Sequence, residues 1–150
     1  MVSIPAVLDS TCLIGLDNIG RLDVAEGLLS PAFLPPEVSK EVDIVIPWAT
    51  VVAPSERVLV AALQIMVDAG EAEAIALAVE KGVRVILDDR KARSVASRLG
   101  VPVTGTVGLL LKAKQAGLVT AIKPLLAALA ANQFHISQEL VTEALRLAGE

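Results

Sequence analysis

Three aspartates in this 150-residue chain stand where short apolar segments end. Asp9 follows the run Ile4–Leu8, and Asp88 and Asp89 follow residues 83–87; both runs are typical of buried strands. Ligands of an open parallel sheet bind outside the carboxyl ends of its strands, so the three carboxylates are predicted to meet at one edge. Carboxylates gathered in one cleft repel each other unless a cation neutralises them.

Glu41 and Glu71 are further acids that the order of elements could bring to the same cleft. Glu41 comes late in a short predicted helix after a Pro-Pro pair, and Glu71 begins a helix whose apolar face is predicted to pack inward. Oxygen ligands without histidine or thiolate favour a hard ion, Mg²⁺ or Mn²⁺, which can activate water and stabilise a phosphodiester under attack. The single histidine, His135, excludes a His-rich zinc site, and the single cysteine, Cys12, excludes an intrachain disulfide.

Each acid also has a purely structural explanation. Asp9 and Asp89 precede predicted helices and could serve as N-caps. Asp68 and Glu71 have the spacing of a variant capping box. Glu37 and Glu41 are four residues apart and could share a solvated helix face. Glu73 lies two residues after Glu71, so the two side chains point roughly opposite ways on a helix and only one can serve a given site well. Composition and spacing alone therefore lead to an acidic cleft in an α/β domain that could bind metal.

The composition suits a compact α/β core. Hydrophobic residues make up 54% of the chain, but the longest apolar run, Leu125–Ala131, is far shorter than the roughly 18 residues of a membrane span. The amino terminus lacks the features of a signal peptide, and a cytoplasmic location is predicted. The net charge of −4 is a poor match for nucleic acid unless the acids cluster in a site that binds cations.

Helices alternate with short apolar strands, which predicts a parallel α/β sandwich. Strands are predicted at residues 4–8, 33–34, 48–52, 83–87 and 101–103. Helices are predicted at residues 11–17, 21–29, 36–42, 54–67, 71–81, 90–99, 106–116, 121–131 and 138–147. No repeat or long linker interrupts the pattern, so residues 1–150 are predicted to form one domain.

Four segments together resemble the PIN-domain family, in its compact prokaryotic group related to VapC-type toxins. In the family's order they are VLDSTCLIGL (residues 7–16), LPPEVSKEV (34–42), GEAEAIALA (70–78) and VILDDRKAR (85–93), followed by LGVPV (99–103) and a Gly-Thr pair at 105–106. The resemblance covers about residues 4–118 and ends near residue 120. It implies a three-layer α/β/α sandwich with a central parallel sheet, and a ribonuclease that depends on Mg²⁺ or Mn²⁺.

The resemblance also implies the catalytic, metal-ligating acids, which are Asp9, Glu41, Glu71 and Asp89. The family usually has Asp at the third of these positions, so a glutamate there is a departure that could shift the ion. Glu71 is favoured because it begins its helix, and Glu73 stays open as an alternative with a supporting role.

Neighbouring residues extend the implied site. Asp88 is an alternative metal ligand to Asp89, since Asp88 lies at the strand end while Asp89 aligns slightly better with the family. Ser10 or Thr11 could form a hydrogen bond to a carboxylate, a water molecule or a phosphate near the ion.

The resemblance also implies an RNA substrate and protein partners. Arg90, Lys91 and Arg93 follow the last acids and are candidates for contacts with the RNA backbone. Many relatives are toxins restrained by a small antitoxin protein and form dimers, so a toxin role, an antitoxin partner and a homodimer are expected here.

Two other functions fit the same residues. A PIN fold that has lost catalysis would serve as a protein-binding module. A receiver-like or phosphoaspartate domain would phosphorylate one strand-end aspartate with the help of Mg²⁺. Thr11 argues against the haloacid-dehalogenase form of that chemistry, because it stands where a second acid would be needed.

Overall fold

The computed structural model describes residues 3–150, and within them five strands and nine helices alternate. The strands are β1 (Ile4–Leu8), β2 (Leu29–Leu34), β3 (Ala49–Val51), β4 (Arg84–Ile86) and β5 (Val103–Thr104). The helices are α1 (Ser10–Asn18), α2 (Leu22–Leu28), α3 (Pro36–Glu41), α4 (Arg57–Leu63), α5 (Ala69–Lys81), α6 (Arg90–Arg98), α7 (Thr106–Gln115), α8 (Lys123–Ala131) and α9 (Gln138–Ala148). None of these helices is long and apolar enough to cross a membrane.

All five strands are parallel and lie in the order β3-β2-β1-β4-β5. Alternate residues of the central strand β1 face opposite sides of the sheet. Ala6 and Leu8 pack into a cluster with α1, α2, α7, α8 and α9, whereas Val7 packs into a second cluster with α4, α5 and α6. Helices therefore cover both faces of the sheet, and the predicted three-layer α/β/α sandwich is confirmed.

Several predicted boundaries are wrong, and three of the elements concerned show a local reason. The predicted helix 21–29 ends at Leu28 because Leu29 pairs with β1 and opens a longer β2. The predicted helix 54–67 narrows to Arg57–Leu63: before it, the N–H groups of Ser55 and Glu56 donate to a carboxylate oxygen of α5, and after it, residues 64–66 form turns. The last strand starts at Val103 rather than at residue 101, since the preceding proline has no N–H to offer a neighbouring strand.

Several helix N-termini gather at the carboxyl edge of the sheet. Helix α1 begins directly after β1, α6 follows β4, and α7 follows β5. Helix α5 leads back into β4 through Gly82, which has the left-handed φ of 64° that glycine adopts readily. Because α5 returns the chain to the start of a parallel strand, its N-terminus lies at the same edge. Helix N-termini carry partial positive charge, so this edge suits anionic groups.

Candidate acidic site

Asp9 lies at the centre of the acidic cluster and is almost completely buried, with 4% of its surface exposed. The pKa of the Asp9 carboxyl is raised from 3.8 to about 7, chiefly by burial; the Ser10 N–H acts in the opposite direction, and the charges of Glu71, Asp68 and Glu41 contribute to the rise. Its side chain makes no capping hydrogen bond to α1. The N-cap explanation of Asp9 is therefore wrong, and the carboxylate is positioned by burial among other acids.

Glu41, the last residue of α3, is held between α1 and α5. The Ser10 hydroxyl donates to Oε2 of Glu41 at 2.9 Å. The other oxygen, Oε1, lies so close to Gly70 that a Cβ at that position would collide with it. Glycine at the first turn of α5 thus gives Glu41 room to approach the cluster, which the sequence analysis did not detect.

Glu71 takes part in the capping box of α5 and in the acidic cluster at the same time. Its N–H donates to Oδ1 of Asp68 at 2.8 Å, and its Oε1 accepts from the Asp68 N–H at 3.1 Å. Burial raises the pKa of the Glu71 carboxyl, and the charges of Asp68 and Asp89 add to the effect. The predicted capping box is confirmed, and it fixes Glu71 within the site. Asp68 belongs to this cluster, although the sequence analysis gave it only a capping role.

Asp88 and Asp89 make different contacts after β4. Both oxygens of Asp88 accept hydrogen bonds from Thr106, from its N–H at 2.8 Å and from its hydroxyl at 2.6 Å. Asp89 caps α6 through Oδ2, which accepts from the Ala92 N–H at 3.0 Å. Asp88 therefore ties the end of β4 to the start of α7, whereas Asp89 keeps Oδ1 uncommitted and contributes charge near Glu71.

Glu73 faces a different part of the molecule. One of its oxygens accepts from the Glu37 N–H at 2.9 Å, and the other accepts from Nη1 of Arg57 at 2.8 Å. Both oxygens are thus used to connect α5 with α3 and α4. The Thr11 side chain is exposed and makes no hydrogen bond within the described residues, so of the two hydroxyls it is Ser10 that contacts the acids.

The charge of this cluster has no cationic partner among residues 3–150. No ion pair there includes any of its six acids, which are Asp9, Glu41, Asp68, Glu71, Asp88 and Asp89. The described side chains also include no group of three or more Asp, Glu, His or Cys residues drawn together as a ready-made metal cage. The donor chemistry nevertheless fits a hard divalent cation, since carboxylate oxygens are its preferred ligands and the acids repel each other without one.

The basic residues after the acids differ in their contacts. Arg90 and Lys91 are exposed, and their side chains make no hydrogen bond within the described residues. Arg93 is half-buried; its Nη1 donates to the Leu87 carbonyl at 3.1 Å and packs against Gly105. Arg93 is thereby fixed next to the acidic edge.

Comparison with known proteins agrees with this architecture. A family model described as a PIN domain matches residues 5–150. The match continues through α8 and α9, past residue 120 where the resemblance ended, and these helices complete the apolar cluster over α1 and α7. A search of curated proteins finds no match.

Proposed function

The chain belongs to the PIN-domain family, and from that premise we propose that it is a divalent-metal-dependent ribonuclease that hydrolyses RNA phosphodiester bonds at the acidic cluster. PIN domains are generally nucleases and typically use divalent metals. The observation that supports the proposal most strongly is the state of Asp9. It is a buried carboxylate beside three other acids, and no cationic side chain of residues 3–150 pairs with it.

Asp9, Glu41, Glu71 and Asp89 are the residues that would hold Mg²⁺ or Mn²⁺. Each has at least one carboxylate oxygen that is free of a protein hydrogen bond or shared with another member of the site. Asp88 would be the weaker candidate of the two aspartates, because Thr106 donates to both of its oxygens while Asp89 keeps Oδ1 uncommitted. A bound ion supplies Lewis-acid chemistry: it lowers the pKa of water and offsets charge on the phosphoryl oxygens.

The chain's own contribution is to orient these oxygens before substrate arrives. The Ser10 hydroxyl fixes Glu41, and the Asp68 capping box fixes Glu71. The N-cap role of Asp89 fixes the start of α6. The N-termini of α1, α5, α6 and α7 point their partial positive charge at the same edge, where a phosphate group of RNA can be received.

The finer biological role remains a prediction from the family resemblance. It includes the toxin role, the small antitoxin, the homodimer and the cytoplasmic location. RNA is proposed as the substrate over DNA on the same ground. We likewise propose that residues 1–150 form one domain, since both helical layers pack on a single sheet.

The test is cleavage of a mixed, structured RNA by purified protein with Mn²⁺, with Mg²⁺ and with EDTA. Asp9→Asn and Asp89→Asn are expected to abolish metal-dependent cleavage while the far-UV circular dichroism spectrum is retained. Asp23→Asn is the matched control, because Asp23 is an exposed acid paired with Arg21, and it should cleave at the parental rate. Cleavage by both site variants at the parental rate would refute the mechanism. Metal binding by the parent without any cleavage would favour a binding module.

A further inference from the structure

A groove of about 1000 Å³ runs along the open edge of β5. Residues of α6, α7 and α9 border it, and β5 forms part of its floor. Asp88 and Gly105 line its end at the acidic site. The groove is therefore continuous with the carboxyl edge of the sheet, where the proposed cleavage takes place.

Four cations line this groove, namely Arg84 of β4, Arg90 and Arg93 of α6, and Lys112 of α7. None of these four groove cations forms an ion pair within residues 3–150. The chain as a whole carries a net charge of −4. The groove thus gathers four cations without an ion-pair partner on an otherwise acidic protein, which favours an anionic occupant.

The acids that line the groove only partly offset this charge. Glu143 is paired with Arg146, so its charge is already balanced. Asp88 keeps its charge, since its donor Thr106 is neutral, but it lies at the end of the groove that meets the acidic site. Glu139 is exposed at the start of α9, opposite the cationic wall. The positive charge is therefore concentrated on the side formed by β4, α6 and α7.

Two of the groove cations are held in place by protein oxygens. Nη1 of Arg84 donates to the Thr104 hydroxyl at 2.7 Å, and Nη1 of Arg93 donates to the Leu87 carbonyl at 3.1 Å. Each guanidinium has five N–H donors, so donors remain for a second acceptor, and a phosphate oxygen suits their geometry. At about 3.3 Å per residue, β4 and the two residues after it, from Arg84 to Asp88, span roughly 13 Å, a length over which single-stranded RNA presents more than one phosphate.

We propose that this groove holds the single-stranded RNA that flanks the scissile phosphodiester, with its phosphates on the four groove cations. The inference rests on the proposed function and assigns it a substrate path. The opposite wall presents apolar side chains that suit unstacked bases; they are Phe134, Ile136, Leu140 and Leu147. Of the three basic candidates from the sequence, Arg90 and Arg93 lie on this path, whereas Lys91 does not line it. Arg84 and Lys112 are new assignments.

The test compares two double variants that remove the same charge. Arg90→Gln with Lys112→Gln removes two groove cations whose side chains make no hydrogen bond within the described residues, so folding should be preserved. Lys81→Gln with Lys123→Gln is the control, because both lysines are exposed and lie outside the groove. Binding of a fluorescent oligouridine is followed by anisotropy in EDTA, over a series of salt concentrations.

The groove variant is expected to bind about tenfold more weakly than the parent at low salt. The slope of log K against log salt should fall by about 1.4, or about 0.7 for each lost phosphate contact. The control should stay within about twofold of the parent, since only overall charge changes. Equal losses in both variants would overturn the proposal. Unchanged binding by the groove variant would also overturn it. An extended peptide that pairs with the open edge of β5 would then be the favoured occupant.

A small aryl phosphodiester separates this proposal from the proposed function. The groove variant should lose more activity on long RNA, through a raised KM, than on this small substrate, whereas the control variant should keep the parental rate on both with Mn²⁺. If the parent hydrolyses neither substrate, the proposed function fails. The binding comparison in EDTA still tests whether the groove binds RNA. A parental KM of the groove variant for long RNA would refute the substrate path even if the nuclease activity is real.

Discussion

Replacing Asp9 with asparagine should stabilise the metal-free protein at neutral and alkaline pH. The native carboxyl has a pKa of about 7 in place of 3.8. Well below pH 4 the carboxyl is protonated in both the folded and the unfolded state, so it does not lower the free energy of unfolding. As pH rises from about 4 to about 7, the unfolded state loses its proton first, so stability falls, and above pH 7 the full penalty is present. A shift of about 3 units corresponds to about 4 kcal/mol.

The assay is urea denaturation in EDTA at several pH values, followed by the fluorescence of Trp48, the only tryptophan in the sequence. The free energy of unfolding of Asp9→Asn should exceed that of the parent by a margin that grows by up to about 4 kcal/mol between pH 4 and pH 8. The control Asp23→Asn disrupts an exposed ion pair with Arg21 and should lose no more than about 1 kcal/mol. A difference for Asp9→Asn that does not change with pH would refute the reasoning.

Three further outcomes follow from the site. Gly70→Ala should lower cleavage at least about tenfold, because its methyl group displaces Glu41, while stability measured by urea denaturation is unchanged or rises by up to about 1 kcal/mol; parental cleavage would contradict this. Glu73→Gln should lower the free energy of unfolding by about 1–3 kcal/mol in the same assay, since it weakens the contact with Arg57. Glu71→Gln should instead weaken Mn²⁺ binding measured by calorimetry. The reverse pattern would make Glu73 the ligand. Mn²⁺ at 100 times its Kd should raise the stability of the parent by about 2.7 kcal/mol, reversibly with EDTA; no rise would argue against a native-state site.

The edge of the sheet where the acids gather could be predicted from the sequence, because strand ends are a local signal. Asp9 and Asp89 follow apolar runs, and the carboxyl ends of parallel strands share an edge. The capping box of Asp68 and Glu71 was equally visible, since three-residue spacing is local. What spacing could not show is that Asp68 lies near Asp9, because that proximity depends on how α5 packs against β1.

The contacts that distinguish Glu73 and Asp88 from their neighbouring acids are long-range. Glu73 is separated from the site by contacts with α3 and α4, which lie 36 and 16 residues away in the chain. Asp88 is engaged by Thr106, 18 residues further on. The space for Glu41 depends on the missing side chain of Gly70. No periodicity or composition reports such pairings, so the sequence left these alternatives open.

The groove along β5 was hidden for the same reason. Its cations come from three elements, and only those of α6 are close together in the sequence. Arg84 stands at the start of a strand, where a basic residue usually indicates solvent exposure. Its place in the groove follows from the pairing of β4 with β5, across which its guanidinium donates to Thr104.

Titration of the parent with Mn²⁺ by isothermal calorimetry at pH 7, in buffers of different ionisation enthalpy, tests most directly whether the acids form a cation site. About half of the Asp9 carboxyls should be protonated at this pH, given a pKa of about 7. We therefore predict that binding releases about half a proton for each ion from Asp9, and that Asp9→Asn both binds more weakly and loses this release. Binding of equal affinity by the parent and Asp9→Asn, with no proton release from either, would contradict the central claim.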